Sequence, residues 1–230
     1  MTPVDVGVGQ SARLRPLLAL LQLASPALPV GGFAYSQGLE SAISEGLVHD
    51  AASAQRWIHD ALLLVLARFE APAWLRIHDA ALARDESAMR QWNEELLATR
   101  ETAELRAESL QMGASMLRVY APLNLTVPPL PDATYTAGFA TACAQLGIAR
   151  LDGLAAYLWA WTENQVLVAV KTVPLGQQAG QAMLIALHDA VQQAVELAAA
   201  LPDDELGTAA IGFALQSARH ETQYSRLFRS

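Results

Sequence analysis

Five histidines, His49, His59, His78, His188 and His220, are the side chains of this sequence best suited to proton transfer or metal ligation near neutral pH, and each is followed at once by Asp or Glu. No two stand three or four residues apart, the spacing that sets two ligands on one helical face. Successive residues on a helix point about 100° apart, so a histidine and the acid after it are not expected to converge. Cys143 is the lone cysteine. It forbids an intramolecular disulfide or a multi-cysteine zinc site, fits a reducing compartment and reads as a small buried hydrophobe. There is no G-x-x-x-x-G-K-[ST] loop, no G-x-S-x-G elbow and no H-E-x-x-H helix. The best isolated acid is Glu163, in the apolar segment 151–170, where desolvation raises a carboxyl pKa. A helical enzyme built on Glu163 is the alternative reading, but it lacks a second converging acid, nucleophile or metal. No catalytic or metal-ligating set is expected, and no cofactor.

Three stretches have compositions that suit neither plain helix nor plain core. In ASPALPVGGFAYSQGLE (24–40), Pro26, Pro29, Gly31 and Gly32 predict an ordered turn into a helix, with Phe33, Tyr35, Ser36 and Gln37 at the helix start, where backbone N–H groups are free. In WAWTENQVLVAVKTVPLGQQAGQ (159–181), Lys171 is the only lysine among fifteen basic residues and closes an apolar helix. A cation there complements the helix dipole, yet arginine serves elsewhere, which hints at selection for a compact ammonium. Pro174 follows in a turn, and Gln177, Gln178 and Gln181 offer amides on the next helix. In SARHETQYSRLFRS (217–230), Tyr224, Leu227 and Phe228 make an apolar face if the tail becomes helical, beside Arg226 and Arg229. Few core positions are expected there, so removing residues 219–230 should leave the body folded.

The elements that must position these stretches are helical. Apolar residues recur one turn apart at Trp57, Ile58, Ala61, Leu62 and Val65, again at Leu105, Met112, Met116 and Val119, and again at Leu184, Leu187, Val191, Val195 and Ala198. No alternating pattern bounded by turn residues marks a strand. Breaks fall at 25–32, Pro72, the Pro-rich stretch 122–131, Gly147, Pro174 and Pro202, with Pro16, Pro174 and Pro202 at or just before helix starts. The expected fold is all-α: one compact, bundle-like domain of roughly eight or more helices over 13–216, between a flexible segment 1–12 and a partner-binding tail 217–230. The apolar residues of 122–131 argue for a packed connection rather than a linker.

The chain is 230 residues long, 53% hydrophobic, with a formal net charge of −8. Such an acidic protein without a basic stripe repels phosphate backbones and anionic headgroups, which argues against nucleic acid and membrane surfaces as partners. Residues 151–218 carry seven acids against Lys171 alone, whereas the tail sets Arg219, Arg226 and Arg229 against Glu221. A basic tail thus follows an acidic body, on which it folds back or from which it reaches another protein. The N-terminus makes a poor secretory signal, and no apolar run reaches spanning length, so a soluble cytoplasmic protein is expected.

With these stretches in view, the sequence resembles the UreF family of urease accessory proteins. The likeness is carried by LLQLASPALPVGGFAYSQGLE (20–40), TRETAELR (99–106), VKTVPLGQQAGQ (170–181) and SARHETQYSRLFRS (217–230), with Phe33 where family members often carry tyrosine. TRETAELR alone reads as a charged helix with an Arg100–Glu104 pair at i,i+4. The resemblance implies an all-helical, dimeric, non-enzymatic chaperone of urease maturation that bridges a UreG-type GTPase and a UreD/UreH-type scaffold. That assembly couples GTP hydrolysis by the partner to nickel insertion into apo-urease. It further implies that Lys171, Pro174, Gln177, Gln178 and Gln181 face the GTPase, that His220, Glu221, Tyr224, Ser225 and Arg226 order against the UreD-type partner, and that the turn from Pro29 to Gln37 supports dimer or partner geometry.

Overall fold

The computed structural model describes residues 8–208 and 210–230, with side chains from residue 14 on. Eleven α-helices and three 3₁₀ turns occur among them, and no strand. The helices are α1 (Val8–Ala24), α2 (Leu39–Ser44), α3 (Ala51–Leu64), α4 (Glu70–Ala83), α5 (Glu86–Ala98), α6 (Ala103–Tyr120), α7 (Tyr135–Gln145), α8 (Arg150–Thr172), α9 (Gln177–Ala186), α10 (His188–Ala200) and α11 (Ile211–His220). The fold is all-α. More helices appear than the breaks in the sequence suggest, because some ends carry neither proline nor glycine. Between α4 and α5 the chain turns at Arg84, a non-glycine residue at φ 57°, and restarts on Asp85, whose side chain accepts from Ala88 N. Side-chain caps also start α3 (Asp50, reciprocated by Ser53), α6 (Thr102) and α7 (Thr134), satisfying N–H groups that have no partner within the helix. Pro16, expected at a helix start, lies inside α1. The residues 1–7 of the expected flexible segment lie outside the described residues.

The core is arranged around α4, which packs on α5, α7, α8 and α10 and buries Trp74, Leu75 and Ile77. Helix α7 is buried from Thr136 to Ala144, as its small and apolar residues on every face require. Close approach is built in at Gly113 on α6. A Cβ there would stand 1.9 Å from the carbonyl oxygen of Ala133, so the chain leading into α7 lies directly on the α6 backbone. The stretch 122–131 is irregular, but Leu130 joins the core, and Leu123 and Leu125 pack against it. No described helix is long and apolar enough to cross a membrane.

Three of the adjacent histidine–acid pairs do meet. His59 Nδ1 lies 3.0 Å from Asp60 and His49 Nε2 lies 3.8 Å from Asp50, both on the surface, and the buried His78 has its Nδ1 3.6 Å from the exposed Asp79. The two surface pairs are solvated and of small energetic weight.

Candidate functional site

The three unusual stretches come together in space. The first makes a compact turn: Gly31 is left-handed at φ 80°, Gly32–Ala34 forms a 3₁₀ turn, and Gln37 and Gly38 are both left-handed before α2 begins at Leu39. Gly38 is required twice over. Its φ of 81° suits glycine, and a Cβ would come 2.9 Å from the Ser217 backbone nitrogen on α11. Pro29 and Phe33 are exposed, Tyr35 and Ser36 are buried, and Gln37 is half-buried. The third helix face of the site comes from α8, where Trp161 Nε1 donates to Gln37 Oε1 (2.7 Å) and Asn164 Nδ2 donates to the Tyr35 carbonyl (3.1 Å).

The tail lies along this turn. Arg229 N donates to the Ala34 carbonyl at 2.8 Å, and the Ser36 amide and hydroxyl both donate to the Ser230 carbonyl. The backbone N–H of Ser36, free by sequence reasoning, is thus taken up by the tail. Two buried glutamates complete the attachment. Glu40 on α2 accepts from Leu227 N (2.6 Å) and Phe228 N (3.0 Å) and faces His220 Nε2 at 3.2 Å. The other ring nitrogen of His220 faces Glu104 at 2.7 Å, and Glu104 also accepts from Arg226 (2.5 Å). Both ring nitrogens of the fully buried His220 thus face a carboxylate oxygen. Glu108, one turn along α6 from Glu104, accepts from Gln37 Nε2 (2.6 Å) and from the Ser230 hydroxyl (2.7 Å).

The tail is not helical beyond His220, which corrects the expected apolar face. Phe228 is 6% exposed, whereas Tyr224 is 104% and Leu227 64% exposed. In this segment of turns and bends the three side chains separate: one goes inward and two remain on the outside with Glu221, Ser225 and Arg226. The Arg100–Glu104 pair is also not made. Arg100 precedes the Thr102 cap, off the helix, and pairs with Glu70 at 2.8 Å, which leaves Glu104 to the tail.

Lys171 ends α8 with its ammonium 5.0 Å from the centre of the Phe228 ring, a cation–π contact worth about 0.5–1 kcal/mol at an exposed site. Pro174, Gln177, Gln178 and Gln181 are exposed with it. The lysine therefore borders both the glutamine-rich surface and the tail.

Beneath the turn lies a cavity of about 110 Å³ between the end of α1, the turn, α6 and α8, lined by Glu70, Arg100, Glu108, Tyr157 and Glu163 among others. Burial alone would raise the Glu70 pKa, but the Arg100 guanidinium, with Tyr157 and Thr136 donating, holds it below the usual range. Burial pushes Glu108 up to about 7 against the pull of Gln37, Ser230 and Arg100, and more weakly raises Glu163. Burial also raises the Cys143 thiol, which makes it an inert core residue. No three His, Cys, Asp or Glu among the described residues are placed to hold a metal ion.

Glu40 and Glu108 went unmarked in the sequence, and Glu104 was read only as the i,i+4 partner of Arg100. The available signal was Glu104, Glu108 and Gln111 at i, i+4 and i+7 on one face of α6, a polar row beside the apolar stripe of Leu105, Met112, Met116 and Val119.

Comparison with known proteins matches residues 48–188 to the UreF family. The Urease accessory protein UreF of Cupriavidus metallidurans is 52% identical over 228 residues, covering 94% of this chain and 99% of that protein. Its namesake in Cupriavidus necator is 51% identical over 229 residues, covering 95% of this chain and 99% of the relative. The Bifunctional urease accessory protein UreEF of Bordetella bronchiseptica is 47% identical over 244 residues, covering 99% of this chain and 56% of that longer protein.

Proposed function

Because this chain belongs to the UreF family, we infer that it is a urease accessory protein, a non-catalytic cytoplasmic scaffold of urease maturation. It bridges a UreG-type GTPase and a UreD/UreH-type protein, acts as a homodimer, and couples GTP hydrolysis by the first partner to nickel insertion into apo-urease through the second. Nickel is cargo of the assembly in this reading, not a resident cofactor of the chain. The observation that carries it is the contact of Lys171 with Phe228, which makes the GTPase-facing surface and the tail neighbours on one side of the molecule. A scaffold relaying the state of one partner to another needs such adjacency. Pro174, Gln177, Gln178 and Gln181 give the first surface exposed neutral groups around a single cation. Tyr224 and Arg226 give the second an exposed aromatic and a guanidinium, residue types enriched where proteins meet, with Leu227 exposed between them and the buried Phe228.

Size-exclusion chromatography of the chain with purified UreG-type and UreD-type partners tests this. Lys171→Glu is expected to lose the GTPase at full cooperative melting, since a like or unpaired charge inside a contact costs several kcal/mol of binding. Gln178→Arg, which leaves the tail contact untouched, is expected to weaken the same partner and spare the UreD-type one. Full binding of both partners by both folded variants, or hydrolysis of GTP by the chain alone, would overturn the assignment.

A further inference from the structure

Glu108 holds the tail without a counter-ion of its own. Among the described residues no cation stands within ion-pair distance of it. Arg100, which faces it from the segment before α6, is engaged by Glu70 of α4 at 2.8 Å. The other charged or titratable groups around it are Tyr35 from the turn, whose hydroxyl donates to Gln111 at 2.8 Å, Arg229 from the tail, and Glu163 of α8 on the wall of the shared cavity. The cover over the carboxyl is the tail itself. Ser230 is fully buried, its hydroxyl on Glu108 and its carbonyl on Ser36, and Gln37 closes the other side, held by Trp161. Removing the tail would give the Glu108 carboxylate to water.

We propose that Glu108 is a proton-linked latch: residues 224–230 stay docked on the turn while its carboxyl is protonated, and loss of that proton promotes their release. The linkage has a definite sign. Burial raises the docked value to about 7, against 4.5 for the ordinary group, so the docked state holds a proton that the released state has given up; with that proton on, the Ser230 hydroxyl turns from donor to acceptor and its contact persists. Docking is therefore firmest in acid and weakens as pH rises from about 4.5 to about 7, beyond which the effect levels off. If the whole shift arises from the tail, the opening constant rises about 20-fold between pH 5.5 and 7.5. The latch belongs to the isolated chain and stands or falls apart from the partner assignments above.

Hydrogen exchange of the Leu227, Phe228 and Arg229 amides in the full chain, corrected for the intrinsic pH dependence of exchange, reads this opening directly. The expected result is faster opening at pH 7.5 than at 5.5 in the parent protein and a flat profile in Glu108→Gln. A parent profile flat within about threefold overturns the latch. So does a pH dependence that survives in Glu108→Gln, which would have its source in another group. Should Glu108→Gln fail to fold, carbon NMR titration of the Glu108 carboxyl gives a second reading. Its midpoint should fall toward the ordinary value in Phe228→Ala, where the tail has lost its anchor, and a midpoint that stays near the parent's overturns the proposal.

Discussion

Replacing Glu40 by glutamine changes one oxygen to an amide nitrogen and leaves the shape of the side chain alone, so its effect isolates what the carboxylate contributes to tail docking. In the native arrangement Oε1 takes the Leu227 amide at 2.6 Å, while Oε2 takes the Phe228 amide at 3.0 Å and faces His220 at 3.2 Å. A glutamine has one acceptor oxygen. In its better orientation that oxygen keeps Phe228 and His220, and the new NH₂ points at the Leu227 N–H, donor against donor. One charge-assisted hydrogen bond is lost, worth about 1.5–3 kcal/mol, and the imidazole of His220 loses the charge of one of its two carboxylates. The sum expected is about 2–4 kcal/mol off docking, or roughly 30-fold or more in the population of released tail. Trypsin reads that population, because cleavage after Arg226 and Arg229 requires an undocked chain and follows the open fraction when opening is fast. Glu45→Gln is the matched control: its carboxylate meets Arg219 and Gln216 at the surface, where such contacts contribute at most about 1 kcal/mol. If Glu40→Gln is cut no faster than the control, the buried carboxylate does not hold the tail.

Arg100→Met should cost about 3–5 kcal/mol in denaturant unfolding, because Glu70 keeps its burial and loses its cation; adding Glu70→Gln to that variant should recover part of the loss. Gly113→Ala should destabilise by about 1–3 kcal/mol or more, since a methyl 1.9 Å from the Ala133 carbonyl forces α6 and the start of α7 apart, and an unchanged melting temperature would contradict the close packing. Removing residues 219–230 should lower the melting temperature measurably, contrary to the expectation from sequence: the cut takes away buried His220, Phe228 and Ser230 and leaves Glu40 and Glu104 without the imidazole between them. A truncated chain that melts with the parent would show that the tail adds nothing to the fold.

The sequence announced its helices through features that act locally. Apolar periodicity in α3, α6 and α10 needs only near neighbours, so it reads directly from the chain. The site was half-legible for the same reason. Two prolines and three glycines mark the turn at 24–40, and one lysine among arginines marks the end of α8, but neither says that Ser36 will meet Ser230 or that Lys171 will lie over Phe228. Those contacts span nearly the whole chain and depend on α2, α6, α8 and α11 being packed first. Polar residues make this harder still. Glu108 and Gln37 are in the interior because each satisfies the other, and no periodic rule can assign a carboxylate to the core before its donors are placed. The tail shows the limit most plainly. Spacing alone allowed Tyr224, Leu227 and Phe228 a common helical face, but the N–H groups of Leu227 and Phe228 found an acceptor in Glu40 instead of in a helix, and the non-helical chain that resulted buried Phe228 and left Tyr224 exposed.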